Sequence, residues 1–351
     1  PGQSLLAADS EDTQAKNQDA LPTVTVTAQK REESLQDVAS AVSAVSGTTI
    51  QNTGGGFTAG KALQDVPNAI APEFAGNQRP RWYIRGMGSG DMASTTVYPV
   101  GIYFDDTYIS PHIATGGPLY DLERVEILRG PQGTLWGKNT TGGAINFISR
   151  KPAFEEGNGY FKVDAGNYDS RLYEGAYGGT LVEDRLAARV AFVDQSKDGQ
   201  LKNLVDDHTY GDVHDQAVRA QVLARLSDTL QATVQVRARD YKGQGIATRA
   251  WGAGPGGTTL FGPAPTLDVD EAAYTGKAED RIEHNGVQLN LEWELGELTL
   301  NSITAFDDVH EKAQGPNMGI YEFGRSYSDD QWRQVSQELR LSSPKNQPIS
   351  W

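Results

Sequence analysis

Hydrophobic and polar positions change their rhythm near Arg150-Lys151-Pro152. Upstream, from about Leu21, short apolar runs are set among many glycines; from Gly157 onward apolar and polar residues alternate, with polar connections between the alternating segments. A period of two puts successive side chains on opposite faces of an extended strand, and a helix would scramble them. The clearest run is Leu230 to Arg239. It sets Leu230, Ala232, Val234, Val236 and Ala238 on one face and Gln231, Thr233, Gln235, Arg237 and Arg239 on the other. The same pattern predicts strands over Leu186–Val193, Val218–Leu226 and Val287–Leu295. Further strands are expected near Gly159–Gly166, Arg171–Gly179, Leu298–Val309 and Val335–Leu341, about eight in all.

The connections add a second regularity. Tight ones stand at Leu181–Asp184, Ser227–Thr229 and Leu295–Glu297, and long ones at Ser196–Asp215, Tyr241–Glu283 and His310–Gln334. Short turns on one rim and long loops on the other are what outer-membrane barrels show. A soluble antiparallel sandwich with irregular loops is the alternative that this region alone leaves open. Strands of about ten residues favour the membrane barrel. No stretch approaches about 18 consecutive apolar residues, which excludes helical spans and leaves barrel strands untouched.

Composition narrows the functions. The 351 residues carry 31 Lys and Arg against 46 Asp and Glu, a net charge of −15. That balance argues against a nucleic-acid binder, which needs clustered cations to displace counterions from phosphates. The absence of cysteine excludes disulfides, thiolate metal sites and a cysteine nucleophile. Pro1 to Ala20 is small, polar and charged, and reads as a disordered arm; a start on Pro1 is consistent with a removed leader. No catalytic constellation emerges, so no enzyme, cofactor or metal site is expected. Asp206, Asp207, His208, Asp212, His214 and Asp215 hold metal-ligand chemistry but lie in a long polar loop, where such residues face water. Gly133 to Asn139 is one residue short of a phosphate-binding loop, and Gly86 to Gly90 fails dinucleotide spacing. These glycines read as tight turns and close packing.

The upstream region contains Arg81-Trp82-Tyr83-Ile84-Arg85-Gly86, then Pro99-Val100-Gly101-Ile102-Tyr103-Phe104-Asp105-Asp106. Asp121-Leu122-Glu123-Arg124-Val125-Glu126-Ile127-Leu128-Arg129-Gly130-Pro131-Gln132-Gly133-Thr134-Leu135-Trp136-Gly137-Lys138-Asn139 follows. In content and order these motifs closely resemble the plug domain of TonB-dependent outer-membrane receptors. The hexapeptide Thr23, Val24, Thr25, Val26, Thr27 and Ala28 looks like the family's TonB box. An alternating Thr/Val strand on a flexible arm suits addition to a partner's open sheet edge.

The resemblance implies a flexible arm with the box over residues 1–30, an α+β plug over 31–152 and transmembrane antiparallel β-barrel strands over 153–351. Such receptors close with about 22 strands, and an eight-stranded barrel has no room for a plug. The chain is therefore expected to be the N-terminal part of a longer or split receptor with an incomplete barrel. By the same resemblance, Arg85 and Arg129 match the plug arginines that pair with barrel carboxylates. Their partners are expected in later strands, with Glu338 a weaker stand-in. The plug apices suggest Asn77, Arg79, Asp91, Tyr108 and His112 as ligand contacts. The implied partners are TonB with ExbB and ExbD, outer-membrane lipid and a small-molecule ligand such as a ferric chelate, in the outer membrane of a Gram-negative bacterium. The implied function is energy-coupled uptake of a scarce solute, most often a ferric siderophore. Carbohydrate, cobalamin and aromatic cargo stay open; a passive porin or an adhesin would need neither arm nor plug, and a signalling receptor would carry an extra N-terminal domain for which the stretch before Thr23 is expected to be too short.

Overall fold

The computed structural model describes residues 24–52, 58–72, 79–91, 96–205, 208–244, 258–259, 262–263, 267–268, 270–273, 278–315, 327–344 and 351. Its N-terminal part begins with a two-residue hairpin, β1 (Thr25–Val26) against β2 (Glu33–Ser34). Next come β3 (Val42–Ser46), α1 (Gly47–Asn52), a 3-10 turn over Ala59–Leu63, β4 (Ala69–Ile70) and β5 (Tyr83–Ile84). β6 (Val100–Phe104) and β7 (Thr107–Tyr108) form a tight hairpin, and a second 3-10 turn spans His112–Thr115. β8 (Leu122–Arg129), α2 (Gly133–Trp136) and β9 (Gly143–Ser149) complete this part. The central sheet runs β3-β8-β9-β6-β7, with β6 and β9 parallel and the other neighbours antiparallel.

Alternation along these strands gives the sheet two different faces. Val125 and Ile127 of β8, Ile145 and Phe147 of β9 and Ile102 of β6 join Leu63, Trp82 and Ile84 in the main core. Their neighbours Leu128, Ala144 and Tyr103 face the other way, onto Val26, Ala28 and Trp136. The segment that begins the described chain thus roofs the second face of the sheet.

The C-terminal part is an antiparallel wall. β10 (Asn158–Gly166), β11 (Ser170–Val182) and β12 (Leu186–Lys197) are followed by short strands β13 (Leu201–Asn203) and β14 (Thr209–Tyr210). β15 (Val213–Arg225) and β16 (Leu230–Gly243) precede three more short strands, β17 (Thr258–Thr259), β18 (Gly262–Pro263) and β19 (Glu271–Ala272). β20 (Glu279–Leu295), β21 (Leu298–Gln314) and β22 (Tyr327–Ser342) end the series. The eight long strands pair in the order β10-β11-β12-β15-β16-β20-β21-β22, an open sheet among the described residues. β13, β14 and β19 make a small sheet within the long connections.

All eight expected strands are present, and each tight connection falls where the alternation places it. The strands, however, run further toward the long connections. β20 begins at Glu279 and β21 ends at Gln314, both inside stretches that the sequence pattern leaves as loop. The orientation separates barrel from sandwich. Val234, Val236, Val287, Trp293, Phe306, Val335, Leu339 and Leu341 are exposed on the outer surface, and Val335 keeps 76% of its accessible area. Buried on the opposite surface are Glu174, Arg189, Asp215, Arg219, Gln221, Gln235, Arg239, Gln288 and Asp307. An apolar exterior around a polar interior suits lipid outside and a hydrated or plugged lumen inside, the reverse of a soluble sandwich.

Candidate functional site

The plug is fastened to the wall by charged groups that burial makes costly to separate. Asp121 is fully buried in the plug, and its two oxygens accept from Nη2 and Nε of Arg189 at 2.6 and 2.7 Å. Arg219 sits 3.6 Å from the same carboxylate and donates to the Asp121 carbonyl at 2.9 Å. Gln288 of β20 donates to the Asp105 carbonyl and accepts from the Thr107 hydroxyl, and Gln221 of β15 donates to Ser149. Toward the long-connection rim, Arg79 reaches Glu311 and lies 3.8 Å from Asp280. The strongest link has a plug carboxylate and wall arginines, opposite in sense to the expected plug arginines and wall carboxylates.

Neither Arg85 nor Arg129 meets a wall carboxylate among the described residues. Arg85 is exposed and in the left-handed region at φ 52°, with its backbone N–H on the Asn68 carbonyl. Arg129 is half-buried; Nη1 approaches the Pro67 carbonyl at 3.5 Å and Nε is enclosed without a partner. Glu338 does face the interior, but toward Arg340 at 3.0 Å and Lys30 at 3.9 Å.

The apex residues divide. Asn77 lies outside the described residues. Asp91 is exposed and holds its own loop, its carboxylate accepting from Thr96 and its carbonyl from Tyr98 and Arg81. Arg79 is engaged by the wall. Tyr108 and His112 come together with Tyr98, Lys138, Asn139 and Trp332 around a cavity of about 330 Å³. The Tyr108 hydroxyl accepts from Asn139 at 3.0 Å, and Gln334 of β22 donates to its carbonyl. The His112 ring stacks on Tyr98 at 4.2 Å between centroids, and its Nε2–H donates to the Pro80 carbonyl. Burial, aided by Arg81 and Arg79, lowers the His112 pKa to about 4 against the Pro80 bond. The ring is therefore neutral at pH 7. Aromatic faces, one ammonium and several hydroxyl and amide groups suit an aromatic or amide-rich ligand of neutral or negative charge.

The box-like segment covers the second face of the central sheet, where Val26 and Ala28 join Tyr103 and Trp136 in a cluster against which Tyr108 also packs; Thr23 lies outside the described residues. From Val24 onward it is docked, in contrast to the flexible arm expected. Val26 is fully buried, the Thr27 N–H donates to Glu126 at 2.7 Å, and Trp136 Nε1 donates to the Ala28 carbonyl at 2.9 Å. Glu126 is itself fully buried in β8, and its second partner is Arg124. This acid inside an apolar strand is the sequence signal that a polar segment covers the sheet there. Of the loop acids and histidines, Asp206 and Asp207 lie outside the described residues. Asp215 points inward to Arg239 and His214 outward to Asp194, so these two cannot share an ion.

A plug with this mixed sheet, seated on the polar face of a wall whose apolar face looks outward, defines the plugged outer-membrane receptors. Residues 34–144 match the family described as TonB-dependent Receptor Plug Domain. Residues 34–144 are thus the plug domain of that family, and the antiparallel wall that follows has the fold of such receptors. It is 30% identical over 190 residues to the pesticin receptor of Yersinia pestis, covering 52% of this chain and 26% of that one. It is 29% identical over 150 residues to the ferrioxamine B receptor of Salmonella typhimurium, covering 42% of this chain and 21% of that one. The crystal structure of the ferric yersiniabactin uptake receptor from Yersinia pestis superposes with a TM-score of 0.75 at 19% identity. It covers 88% of this chain and 46% of its own. The chain thus spans less than half the length of these relatives.

Proposed function

We propose that the chain is the plug and part of the wall of an outer-membrane transporter that takes up a ferric siderophore or similar iron complex, driven by TonB with ExbB and ExbD. The observation that carries this reading is the polarity of the plug. The aromatic cavity of Tyr108 and His112 is bounded by Trp332, toward the long-connection end of β22, whereas Lys30, two residues beyond the Val24–Ala28 segment, accepts from Arg340, close to the tight-turn end of the same strand. One compact domain thereby offers a ligand seat to one side of the membrane and a strand for a periplasmic partner to the other. The outward apolar band supports outer-membrane lipid as the third partner. The relative named for ferrioxamine B supports iron-complex cargo over carbohydrate, cobalamin or aromatic compounds.

The same reading retains Arg85 and Arg129 as plug-locking groups toward wall carboxylates outside the eight described strands. The enclosed Nε of Arg129, still short of an acceptor, supports it.

Tryptophan fluorescence of the receptor in detergent tests the cargo, with Trp332 at the cavity as reporter. Saturable quenching by ferric hydroxamate or ferric catecholate complexes is expected, weakened roughly tenfold in Tyr108→Ala, the scale of one good contact. Saturable binding of cobalamin or an oligosaccharide, with none of any iron complex, would overturn the cargo assignment.

A further inference from the structure

The outward face of the wall changes character in ordered rows, because antiparallel register sets residues of neighbouring strands side by side. Val190, Ala220, Val236, Val287, Phe306 and Val335 make one continuous apolar row from β12 to β22. Four residues further along each strand, toward the long connections, the register partners are Asp194, Gln216, Asp240, Glu283 and His310. The next outward row holds His214, Lys242, Arg281 and Lys312. Successive outward residues on a strand stand about 7 Å apart. The lipid-facing band therefore gives way first to a layer of acceptors and then to a layer of cations.

A shallow groove of about 420 Å³ lies at the first of these boundaries, across β12, β15, β16 and β20. Val218 and Ala238 form its floor, and Asp194, Gln216, Asp240, Glu283 and Asn285 surround it. Its charged groups stay within reach of a ligand. The side chains of Asp240 and Glu283 keep 37 and 43% of their accessible area, and those of Arg281 and Lys242 keep 41 and 56%. Arg281 lies 2.7 Å from Glu283 and 3.2 Å from Asp240, and Lys242 lies 3.5 Å from Asp240. Exposed pairs of this kind contribute little by themselves, so these cations can turn to a phosphate at small cost.

A surface layered in this way matches a ligand with the same three layers. Acyl chains meet the apolar row, sugar hydroxyls donate to the carboxylates and amides of the groove, and a phosphate carried on the sugar reaches Lys242, Arg281 and Lys312. A phospholipid lacks the middle layer. Its phosphate lies next to the acyl region and would meet the carboxylates first, where like charges repel.

We propose that the groove across β12, β15, β16 and β20 is a seat for a phosphorylated glycolipid of the surrounding leaflet. Lys242 and Arg281 hold the phosphate, and Asp240 and Glu283 hold the sugar. The proposal rests on the reading of the wall as membrane-spanning strands and is independent of the cargo.

Native mass spectrometry of the full receptor in detergent tests it, with EDTA present so that no divalent cation bridges carboxylate and phosphate. The probes are bisphosphorylated lipid A, its dephosphorylated form and phosphatidylglycerol. The wild type should retain bisphosphorylated lipid A at least roughly tenfold more tightly than either other lipid. Lys242→Gln with Arg281→Gln should remove that preference, whereas Arg225→Gln, a cation at the tight-turn end of β15, should leave it unchanged. Asp240→Ala with Glu283→Ala separates sugar recognition from plain phosphate attraction. Weaker retention of lipid A is expected; unchanged or stronger retention, as relief of repulsion alone would give, would overturn the sugar contact. Equal retention of phosphatidylglycerol by the wild type, or lipid A binding indifferent to Lys242 and Arg281, would overturn the seat. Insertion into phosphatidylcholine liposomes reads the membrane placement by itself. Insertion without a preferred glycolipid removes the seat and leaves the transporter reading standing, and failure to insert removes both.

Discussion

Asp121 illustrates how a single residue decides the strength of the plug–wall contact. Its carboxylate is shared by Arg189 and Arg219, and all three groups are buried. Asp121→Asn removes the charge and leaves two guanidinium groups enclosed, so a loss of about 3–5 kcal/mol in plug docking is expected. Amide exchange over β8 and β9 should quicken while exchange in the wall strands stays slow. His112 makes a pH-dependent claim. Its pKa falls from 6.5 unfolded to about 4 folded, so the unfolded state binds the proton more readily. The neutral ring's contribution is complete above pH 6.5 and is lost as pH falls through about 4. Tyr98 and His112 should therefore unstack across that window, and His112→Gln should flatten the profile; tyrosine fluorescence of the apex reads both. At this scale the sequence motifs located the right neighbourhoods without the partners. Arg79 was legible as an apex cation, but its engagement by Glu311 depends on a strand 232 residues away that no local pattern reports.

Among elements, the strands were most legible where they face lipid. From Val287 to Leu295 the outward positions are all apolar, and the alternation marks the strand at once. From Glu279 to Asn285 the same strand sets Asp280, buried Ile282 and His284 inward and Arg281 and Glu283 outward, so the apolar-outward alternation does not extend there. Gly286 stands at the change. Its register neighbours are Arg237 on β16 and Asp307 on β21, and the two form an ion pair across it. A Cβ at Gly286 would lie 2.6 Å from both Arg237 Nε and Asp307 Oδ1. Gly286→Ala must push the pair apart and is expected to cost about 1–3 kcal/mol, the range for overpacking. Gly166→Ala, where the nearest atom is 3.7 Å away, is the control and should be close to neutral. Urea titration of the two variants in detergent compares them directly.

For the whole molecule, the plug motifs made the class legible and the alternation made the wall legible. The docked state of the box was not, because it arises from tertiary burial of Val26 against β8 and β9 rather than from any property of Thr23 to Ala28 themselves. Under the proposed function the same segment covers the sheet at rest and adds to a partner's sheet when withdrawn. The central claim, uptake powered through this segment, is tested most directly by Thr25→Pro. Thr25 is exposed beside the buried Val26, so proline spares the core while removing a backbone donor needed for strand addition. Cells carrying the full receptor are compared for surface binding and for accumulation of a radiolabelled ferric siderophore. The account predicts binding equal to wild type with accumulation reduced to the level of a TonB-deficient strain. Accumulation at the wild-type rate in Thr25→Pro would contradict it.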